Sequence, residues 1–206
     1  MEAVLSRKEQ IEKTATALFK SKGFSATSMR DLANALGIEA ASIYSHIKSK
    51  EEILQRVCFK MAQEFFEAID TAEAQQGTAT ERLKRAIAAH VQVLTQNTEA
   101  SAVFLHEWRH LSEPMHGTYL SLRDKYEARF RSIIRTGISS GEFTVPDEKF
   151  AALTILSSLN WIHTWYKPEG KMTPAEIAEN LSEMLLNGLT TNKRALQDTH
   201  THLNTP

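Results

Sequence analysis

The stretch from Thr27 to Glu52, TSMRDLANALGIEAASIYSHIKSKEE, decides the fold of this chain. Ser28 and Asp31 have the spacing of a helix start, because the hydroxyl accepts from an exposed backbone N–H and the carboxylate complements the helix dipole. Apolar residues then recur at helical spacing, and Gly37 allows the left-handed turn that ends a helix. A second short helix is predicted over residues 40 to 46. Two short helices joined by a tight glycine turn form a helix-turn-helix, whose second helix enters the DNA major groove.

The residue types of the second helix suit a DNA groove. Ile43 and Ile47 lie four residues apart and are expected to pack inward. The residues turned outward are then Ala40, Ala41, Ser42, Tyr44 and His46, followed by Lys48 and Lys50. Small side chains let a helix sit deep in a groove, while hydroxyl, imidazole and ammonium groups bind base edges and phosphates. An ordinary helical hairpin is the alternative that this spacing leaves open.

Helical patterns continue on both sides of this unit. Ser6 and Glu9 form a capping pair for a first helix that ends at Gly23. A fourth helix, from Lys50 to about Phe66, is expected to begin beside DNA and end in the next domain, which makes it a lever between the two. Further helices are predicted over about 83–94, 103–111, 119–138, 147–166 and 173–189, with polar or Pro- and Gly-containing breaks at 71–80, 141–147 and 167–170. No strand pattern of convincing length occurs.

One family pattern accounts for the N-terminal quarter of the chain. Its residues are Ile11, Ala15, Leu18, Phe19, Gly23, Phe24, Thr27, Ser28, Met29, Arg30, Asp31, Leu32, Ala33, Gly37, Ile38, Ser42, Ile43, Tyr44, His46, Lys50, Glu51 and Leu54. In this order they resemble the DNA-binding domain of the TetR family of transcriptional regulators. The resemblance implies operator-facing residues at Ser28, Arg30, Ala40, Ala41, Ser42, Tyr44, His46 and Lys50. The family usually has Ser or Thr as the cap of the recognition helix, whereas this chain has Glu39, which is a weaker cap.

Composition agrees with a DNA-binding regulator of this size. The formal charge of the 206 residues is −1, which excludes a generally basic nucleic-acid coat and requires a local DNA-binding surface. A single cysteine excludes an internal disulfide framework and suits a reducing cytoplasm. No apolar run approaches the length of a membrane span, and the N-terminus lacks a signal-peptide pattern, so we expect a cytoplasmic protein without membrane contact.

These patterns together predict an all-α protein with two domains. A three-helix, helix-turn-helix DNA-binding domain is expected over 1–50, a helical effector-binding and dimerisation domain over 51–190, and a polar tail over 191–206. The last two helices are apolar over more than one face, and such helices need cover from more than one neighbour. A homodimer interface supplies that cover, as in TetR-like proteins, which pair two helices from each subunit in a four-helix bundle. Simple internal core is the alternative.

The predicted effector site lies in the second domain. Its candidate lining residues are the aromatic and basic residues Trp108, Arg109, Tyr126, Arg129, Trp161 and Trp165, with His163, Tyr166 and Lys167 beside them. The segment from Asn160 to Gly170 resembles a subgroup of TetR-like regulators of fatty-acid and acyl-CoA catabolism, which implies an acyl-CoA ligand. An aromatic stripe at helical spacing is also the pattern of ordinary core.

One motif indicates a different class of protein. His106, Glu107 and His110 match H-E-x-x-H, which on a helix places two imidazoles on one face to bind zinc in metallopeptidases. The third ligand of the longer metallopeptidase motif is missing nearby. We therefore predict no catalytic residue, no metal and no cofactor. A zinc peptidase, or a helical small-molecule-binding protein without DNA function, are the alternatives to a ligand-responsive repressor.

Overall fold

The computed structural model describes residues 5–187, and every regular element among them is helical. The α-helices are α1 (Arg7–Lys22), α2 (Met29–Leu36), α3 (Ala40–Tyr44), α4 (Lys50–Glu73), α5 (Ala79–Gln96), α6 (Thr98–His106), α7 (Met115–Ser139), α8 (Glu148–Asn160), α9 (Ile162–Trp165) and α10 (Pro174–Asn187), with a 3₁₀ turn at Glu107–His110. The predicted all-α class is confirmed. The predicted tail over 191–206 lies outside the described residues.

Local sequence signals set the ends of the N-terminal helices. Ser6 with Glu9 caps α1, and Ser28 with Asp31 caps α2, each through reciprocal side-chain and backbone hydrogen bonds. Gly37 adopts a left-handed conformation with φ of 64° at the end of α2. These are the turns that the sequence predicted, because a capping pair and a glycine act within a few residues of themselves.

The structure ends two helices, α3 and α4, at residues other than those predicted from the sequence. Helix α3 ends at Tyr44, two residues early, because the N–H of His46 bonds to the carbonyl of Ile43 at 2.9 Å and tightens the last turn. Helix α4 continues to Glu73 instead of ending near Phe66. Ile69 and Ala72 lie on its buried face, so tertiary packing extends the helix through a polar stretch.

The predicted helix over 147–166 is divided in two. The imidazole of His163 bonds to the carbonyl of Asn160, and the hydroxyl of Thr164 donates to the carbonyl of Trp161 at 2.7 Å. Side chains thus compete for carbonyls that a continuous helix needs. Helix α8 ends at Asn160, and α9 follows Trp161 as a single turn.

Helix α4 joins the two parts of the molecule. Its first turns bury Ile53, Leu54 and Val57, and its later turns bury Phe65 and Ile69, within one continuous apolar core. Around it, α5 packs against α4 and α10, α7 packs against α5 and α8, and α6 packs against α1. One rigid helix therefore runs from the helix-turn-helix into the C-terminal helices.

Candidate DNA interface and effector cavity

Helix α3 presents an open polar face. Ile43 and Ile47 are buried as expected and belong to the apolar core, and α3 packs against α2. The side chains of Arg30, Ala41, Ser42, Tyr44, His46 and Lys48 are exposed, and Ala40 is half-buried. Tyr44 is an aromatic residue with 55 % of its surface exposed. A hydroxyl-bearing, positively flanked helix face of this kind suits a DNA groove.

Two of the predicted operator-facing residues have hydrogen bonds within the protein. The Ser28 hydroxyl accepts from the Asp31 N–H at 3.1 Å as part of the α2 cap. The Lys50 ammonium donates to the carbonyls of Phe24 at 2.9 Å and Thr27 at 3.0 Å, and it lies 4.3 Å from the Phe24 ring centroid. Lys50 therefore ties the start of α4 to the loop before α2. Direct operator contact by either side chain stays a prediction.

Glu39 is a poor cap in the structure as well. It occupies the N-cap position of α3, and its side chain makes no capping hydrogen bond. The first N–H groups of α3 thus lack the side-chain acceptor that Ser or Thr would supply.

A small cavity lies among α4, α5, α6, α7 and the end of α8. Its volume is about 80 Å³. Its lining residues are Ala62, Phe65, Phe66, His90, Phe104, Leu105, Tyr119, Leu122, Arg123, Tyr126 and Asn160. Most of the wall is apolar or aromatic, with a few polar groups, which is the usual character of a ligand site.

The polar groups of this cavity form a chain through His90. The imidazole Nδ1 is 3.1 Å from the Tyr126 hydroxyl, and Nε2 is 3.2 Å from Oδ1 of Asn160. Burial lowers the pKa of His90 to about 3, because an apolar environment disfavours the charged ring. Near neutral pH this chain therefore carries no charge.

Two arginines and Trp108 lie beside the cavity. Trp108 stacks on Tyr119 with ring centroids 5.4 Å apart. The guanidinium carbons of Arg109 and Arg123 lie 4.5 Å and 5.6 Å from the Trp108 ring. Both arginines reach solvent, so they are available to an anionic group bound at the surface.

The predicted effector residues occupy several different environments. Tyr126 lines the cavity, whereas Trp108 and Arg109 lie behind its Tyr119 wall. Arg129 forms ion pairs with Asp70 and Glu73. Trp161 and Trp165 are 63 % and 41 % exposed and line none of this cavity. An effector contact by each of these residues stays a prediction.

Sequence reasoning did not select His90, Asn160, Tyr119 or Arg123 as effector residues. One signal for His90 was present, since it falls among Leu83, Ile87, Val91 and Leu94 on the apolar face of α5. A polar, titratable side chain on a buried helix face needs a hydrogen-bond partner. Only the packing of α5 against α7 and α8 identifies that partner.

The H-E-x-x-H residues do not share one helical face. His106 ends α6, and the next four residues form the 3₁₀ turn. His106 contacts the imidazole of His163, whereas His110 stacks on Phe24 at 5.2 Å between centroids. Within residues 5–187 no group of three or more His, Cys, Asp and Glu side chains is arranged to hold a metal ion. The geometry gives the zinc peptidase alternative no support.

Several large apolar side chains on α8, on α10 and between α8 and α9 are exposed. Phe150, Trp161 and Met184 are 69 %, 63 % and 74 % exposed, and Leu153 is 43 % exposed. Large apolar surfaces of this kind mark interaction sites. Separately, none of the helices within residues 5–187 has the length and apolar character needed to cross a bilayer.

Comparisons with known proteins agree with this geometry. The family model for bacterial regulatory proteins of the tetR family matches residues 11–57, and the model for the tetracyclin repressor-like C-terminal domain matches residues 76–189. The HTH-type transcriptional repressor KstR2 of Rhodococcus jostii is 25% identical over 185 residues, covering 89% of this chain and 91% of the repressor.

Two solved structures are also similar. The TetR family regulator PfmR from Thermus thermophilus is 34% identical with a TM-score of 0.78, covering 88% of this chain and 99% of PfmR. AibR, solved in complex with isovaleryl coenzyme A and operator DNA, is 25% identical with a TM-score of 0.77, covering 88% and 98% of the two chains. Because both family models match, this chain belongs to the TetR family of bacterial transcriptional regulators.

Proposed function

We propose that this TetR-family regulator represses transcription by binding a palindromic operator as a homodimer, and that an acyl-CoA effector releases it. The observation that carries the DNA-binding part is the open face of α3 around the buried Ile43 and Ile47. A two-fold dimer places its two recognition helices about 34 to 36 Å apart, which is one turn of DNA. We assign DNA binding to residues 1–50 and effector binding with dimerisation to 51–190.

The cavity and its cationic border support a thioester effector. An acyl chain suits the apolar wall, and the phosphates of coenzyme A suit Arg109 and Arg123 at the surface. AibR binds isovaleryl coenzyme A, which supports the same ligand class here. Trp161 and Trp165 are better suited to a dimer interface than to the ligand, because both are exposed and neither lines the cavity.

Helix α4 connects the cavity to DNA. Its Phe65 and Phe66 form part of the cavity wall, and its Lys50 is tied to the loop before α2. An effector that enters only when the wall moves outward shifts α4, and this changes the separation of the two recognition helices. By linkage, the factor by which effector weakens DNA binding equals the factor by which DNA weakens effector binding.

This function needs no catalysis, and we propose that the chain is not an enzyme. We also propose that it acts in the cytoplasm, where a bacterial operator is located. The alternative of a helical small-molecule-binding protein without DNA function predicts weak binding without sequence preference, which the following experiment distinguishes.

The test begins by selecting an operator from a random duplex library with the full-length protein. The dissociation constant for the selected duplex is then measured at several salt concentrations, with and without a panel of acyl-CoA thioesters. We expect a steep salt dependence, preference over random DNA, and weaker binding when one thioester is present. Tyr44→Ala should weaken binding to all sequences, whereas Ser42→Ala should alter base preference. Failure to enrich any sequence would contradict the proposal.

A further inference from the structure

Hydrogen bonds join several of the helices around the effector cavity to one another. His90 of α5 bonds to the Tyr126 hydroxyl of α7 at 3.1 Å and to the side chain of Asn160, at the end of α8, at 3.2 Å. The Tyr119 hydroxyl of α7 donates to the Phe104 carbonyl of α6 at 2.9 Å. All five residues line the cavity. These bonds therefore connect α8, α5, α7 and α6 in a chain.

A contact between two histidines closes this chain. His106 directly follows the lining residue Leu105, and its ring meets that of His163 on α9, with centroids 4.6 Å apart. The Nδ1 of His163 bonds to the backbone carbonyl of Asn160. Among the hydrogen bonds of residues 5–187, the His106–His163 contact is the one that joins α6 to α9. We call the closed circuit α5–α7–α6–α9–α8–α5 the cavity frame.

Helix α4 supplies a wall of the cavity without belonging to the cavity frame. Its lining residues are Ala62, Phe65 and Phe66. In the part of the chain that the structure describes, no side chain of residues 62–66 bonds to another helix, and Phe65 packs on the rings of His90 and Phe104. Apolar packing is non-directional, whereas a hydrogen bond weakens steeply when its geometry changes. We therefore expect α4 to be the wall that yields.

The contact between His106 and His163 depends on the protonation of both rings. Because the Asn160 carbonyl can only accept, the His163 Nδ1 carries a hydrogen. In the neutral ring the facing Nε2 is then an acceptor, and the His106 Nε2 donates to it. One added proton still leaves one donor and one acceptor at the contact. Two added protons place N–H groups against each other and break it.

The surroundings of His163 oppose the second proton. Desolvation lowers the pKa of the ring, and the charges of His106 on α6 and Lys20 on α1 act in the same direction, whereas the bond to the Asn160 carbonyl of α8 opposes them. The titratable side chain that α5 contributes to the circuit is His90, and it is neutral because burial lowers its pKa to about 3. Near neutral pH the pair therefore holds at most one added proton, and the contact is kept.

We propose that the cavity frame directs the displacement caused by the effector onto α4, and that His106 and His163 are the positioning residues that keep the frame closed. This inference rests on the proposed function, in which the effector enters when a wall moves outward. With the frame closed, the wall that moves is α4, and operator binding weakens. With the contact broken, α6 and α9 separate, and the effector is admitted without moving α4. Neither histidine lines the cavity, so both act through the positions of their helices.

The experiment measures the effector dissociation constant of the full-length protein with and without its selected operator. The probe is whichever of isovaleryl-CoA, octanoyl-CoA and palmitoyl-CoA releases the wild type most strongly near pH 7.5. His106→Phe keeps a ring at this exposed position and removes the hydrogen bond. Without DNA it should bind the probe about threefold more tightly, and its coupling factor should fall about fivefold or more. General damage to the site would instead weaken probe binding.

His106→Gln is the conservative variant that should restore the contact. Its amide donates to the neutral His163 ring and, after rotation, accepts from the charged ring. We expect this variant to keep the wild-type coupling both near pH 7.5 and near pH 5. The wild type should lose coupling and gain probe affinity at the lower pH, toward the behaviour of His106→Phe. Other histidines titrate in both proteins, so their effects cancel in this comparison.

His116→Phe is the matched control for the loss of an imidazole. The His116 ring bonds to Glu113, three residues away, at 3.1 Å, and this bond joins no two helices of the cavity frame. The control should therefore keep the coupling factor and the probe affinity of the wild type.

The outcomes distinguish this inference from the function on which it rests. If a thioester releases the wild type from its operator and His106→Phe keeps the wild-type coupling, the frame inference is wrong and the acyl-CoA repressor stands. Weaker probe binding by His106→Phe, or equal loss of coupling in His106→Gln, would also contradict the inference. If no thioester binds while operator binding persists, both the thioester effector and this inference are wrong.

Discussion

At the scale of single residues, two lysines near α3 differ in their surroundings. Lys48 is exposed, whereas the Lys50 ammonium is held by the carbonyls of Phe24 and Thr27. A lysine that neutralises a phosphate contributes about 0.9 to the slope of log affinity against log salt concentration. We therefore expect Lys48→Ala to reduce that slope by about 0.9 per subunit. Lys50→Ala should lower operator affinity and the free energy of unfolding while leaving the slope unchanged.

The measurement is a series of operator titrations at increasing salt, with urea unfolding of both variants. Lys50 is the informative residue, because the family resemblance places it against DNA and the structure places its ammonium on the protein backbone. A reduced salt slope in Lys50→Ala would show that this ammonium leaves its carbonyls and binds a phosphate.

His90 gives the stability of the protein a pH dependence of known sign. Its pKa is lowered to about 3 in the folded protein from the ordinary value of 6.5. Below pH 6.5 the unfolded chain binds a proton that the folded chain does not, so acid favours unfolding. The stabilisation is complete above pH 6.5 and is lost as the pH falls toward 3, by roughly 1.4 kcal/mol per pH unit.

Urea unfolding near pH 7.5 and near pH 5, at one protein concentration, checks this expectation against His90→Gln, which cannot titrate. The wild-type free energy of unfolding should fall by roughly 2 kcal/mol more than that of the variant over this interval. Parallel pH dependences in the two proteins would mean that His90 is protonated in the folded state.

At the scale of elements, the 3₁₀ turn Glu107–His110 lies between the cavity and the DNA-binding helices. Trp108 stacks on Tyr119 of the cavity wall, and His110 stacks on Phe24 and approaches the Ser25 hydroxyl at 3.4 Å. This turn therefore links the Tyr119 wall to the loop before α2 through direct side-chain contacts, and we propose that it transmits a shift of that wall. Of the two histidines of the H-E-x-x-H match, His110 has this packing role and His106 contacts His163.

We expect His110→Ala to reduce the coupling factor between effector and operator by about threefold or more. Such a reduction corresponds to roughly 0.7 kcal/mol, out of a typical coupling free energy of about 1 to 3 kcal/mol. The operator dissociation constant is measured with and without the thioester that releases the wild type most strongly. His116→Ala is the control, because His116 also stacks on an aromatic ring, that of Trp108 at 5.4 Å between centroids, and within residues 5–187 its ring pairs with none from the DNA-binding helices. An unchanged coupling factor in His110→Ala would exclude this route.

At the scale of the whole molecule, the exposed apolar side chains of α8 and α10 are suited to contact with a second copy. Phe150 and Met184 are among the most exposed of them. We expect Phe150→Asp to convert a dimer into a 23.2 kDa monomer, because a buried carboxylate in an apolar interface is strongly unfavourable. Operator affinity should then fall by a factor on the order of 100, since the two half-sites are no longer bound as one unit.

Sedimentation of the variant, with operator titration, tests this expectation. Leu5→Asp is the control for the mass measurement, because Leu5 is an exposed apolar residue of the N-terminal segment, away from α8 and α10. If Phe150→Asp remains a dimer of full operator affinity, the interface lies elsewhere.

Much of the helix-turn-helix could be predicted because its signals are local. The Ser28 and Asp31 cap, the left-handed Gly37 and the inward Ile43 each act within one helical turn of themselves, and the structure has all three where the sequence places them. Helix ends were less predictable where distant packing decides them, as in the extension of α4 to Glu73.

The sequence by itself determined the all-helical class, the inward-facing Ile43 of α3 and the family, because these depend on short-range spacing and a contiguous motif. Only the tertiary structure decided which polar groups meet inside the second domain. His90, Tyr126 and Asn160 lie on three different helices, and Arg129 turns to the carboxylates of α4 rather than to the cavity. Periodicity shows which face of a helix is buried, but the partner across that face depends on how helices distant in sequence cross and pack.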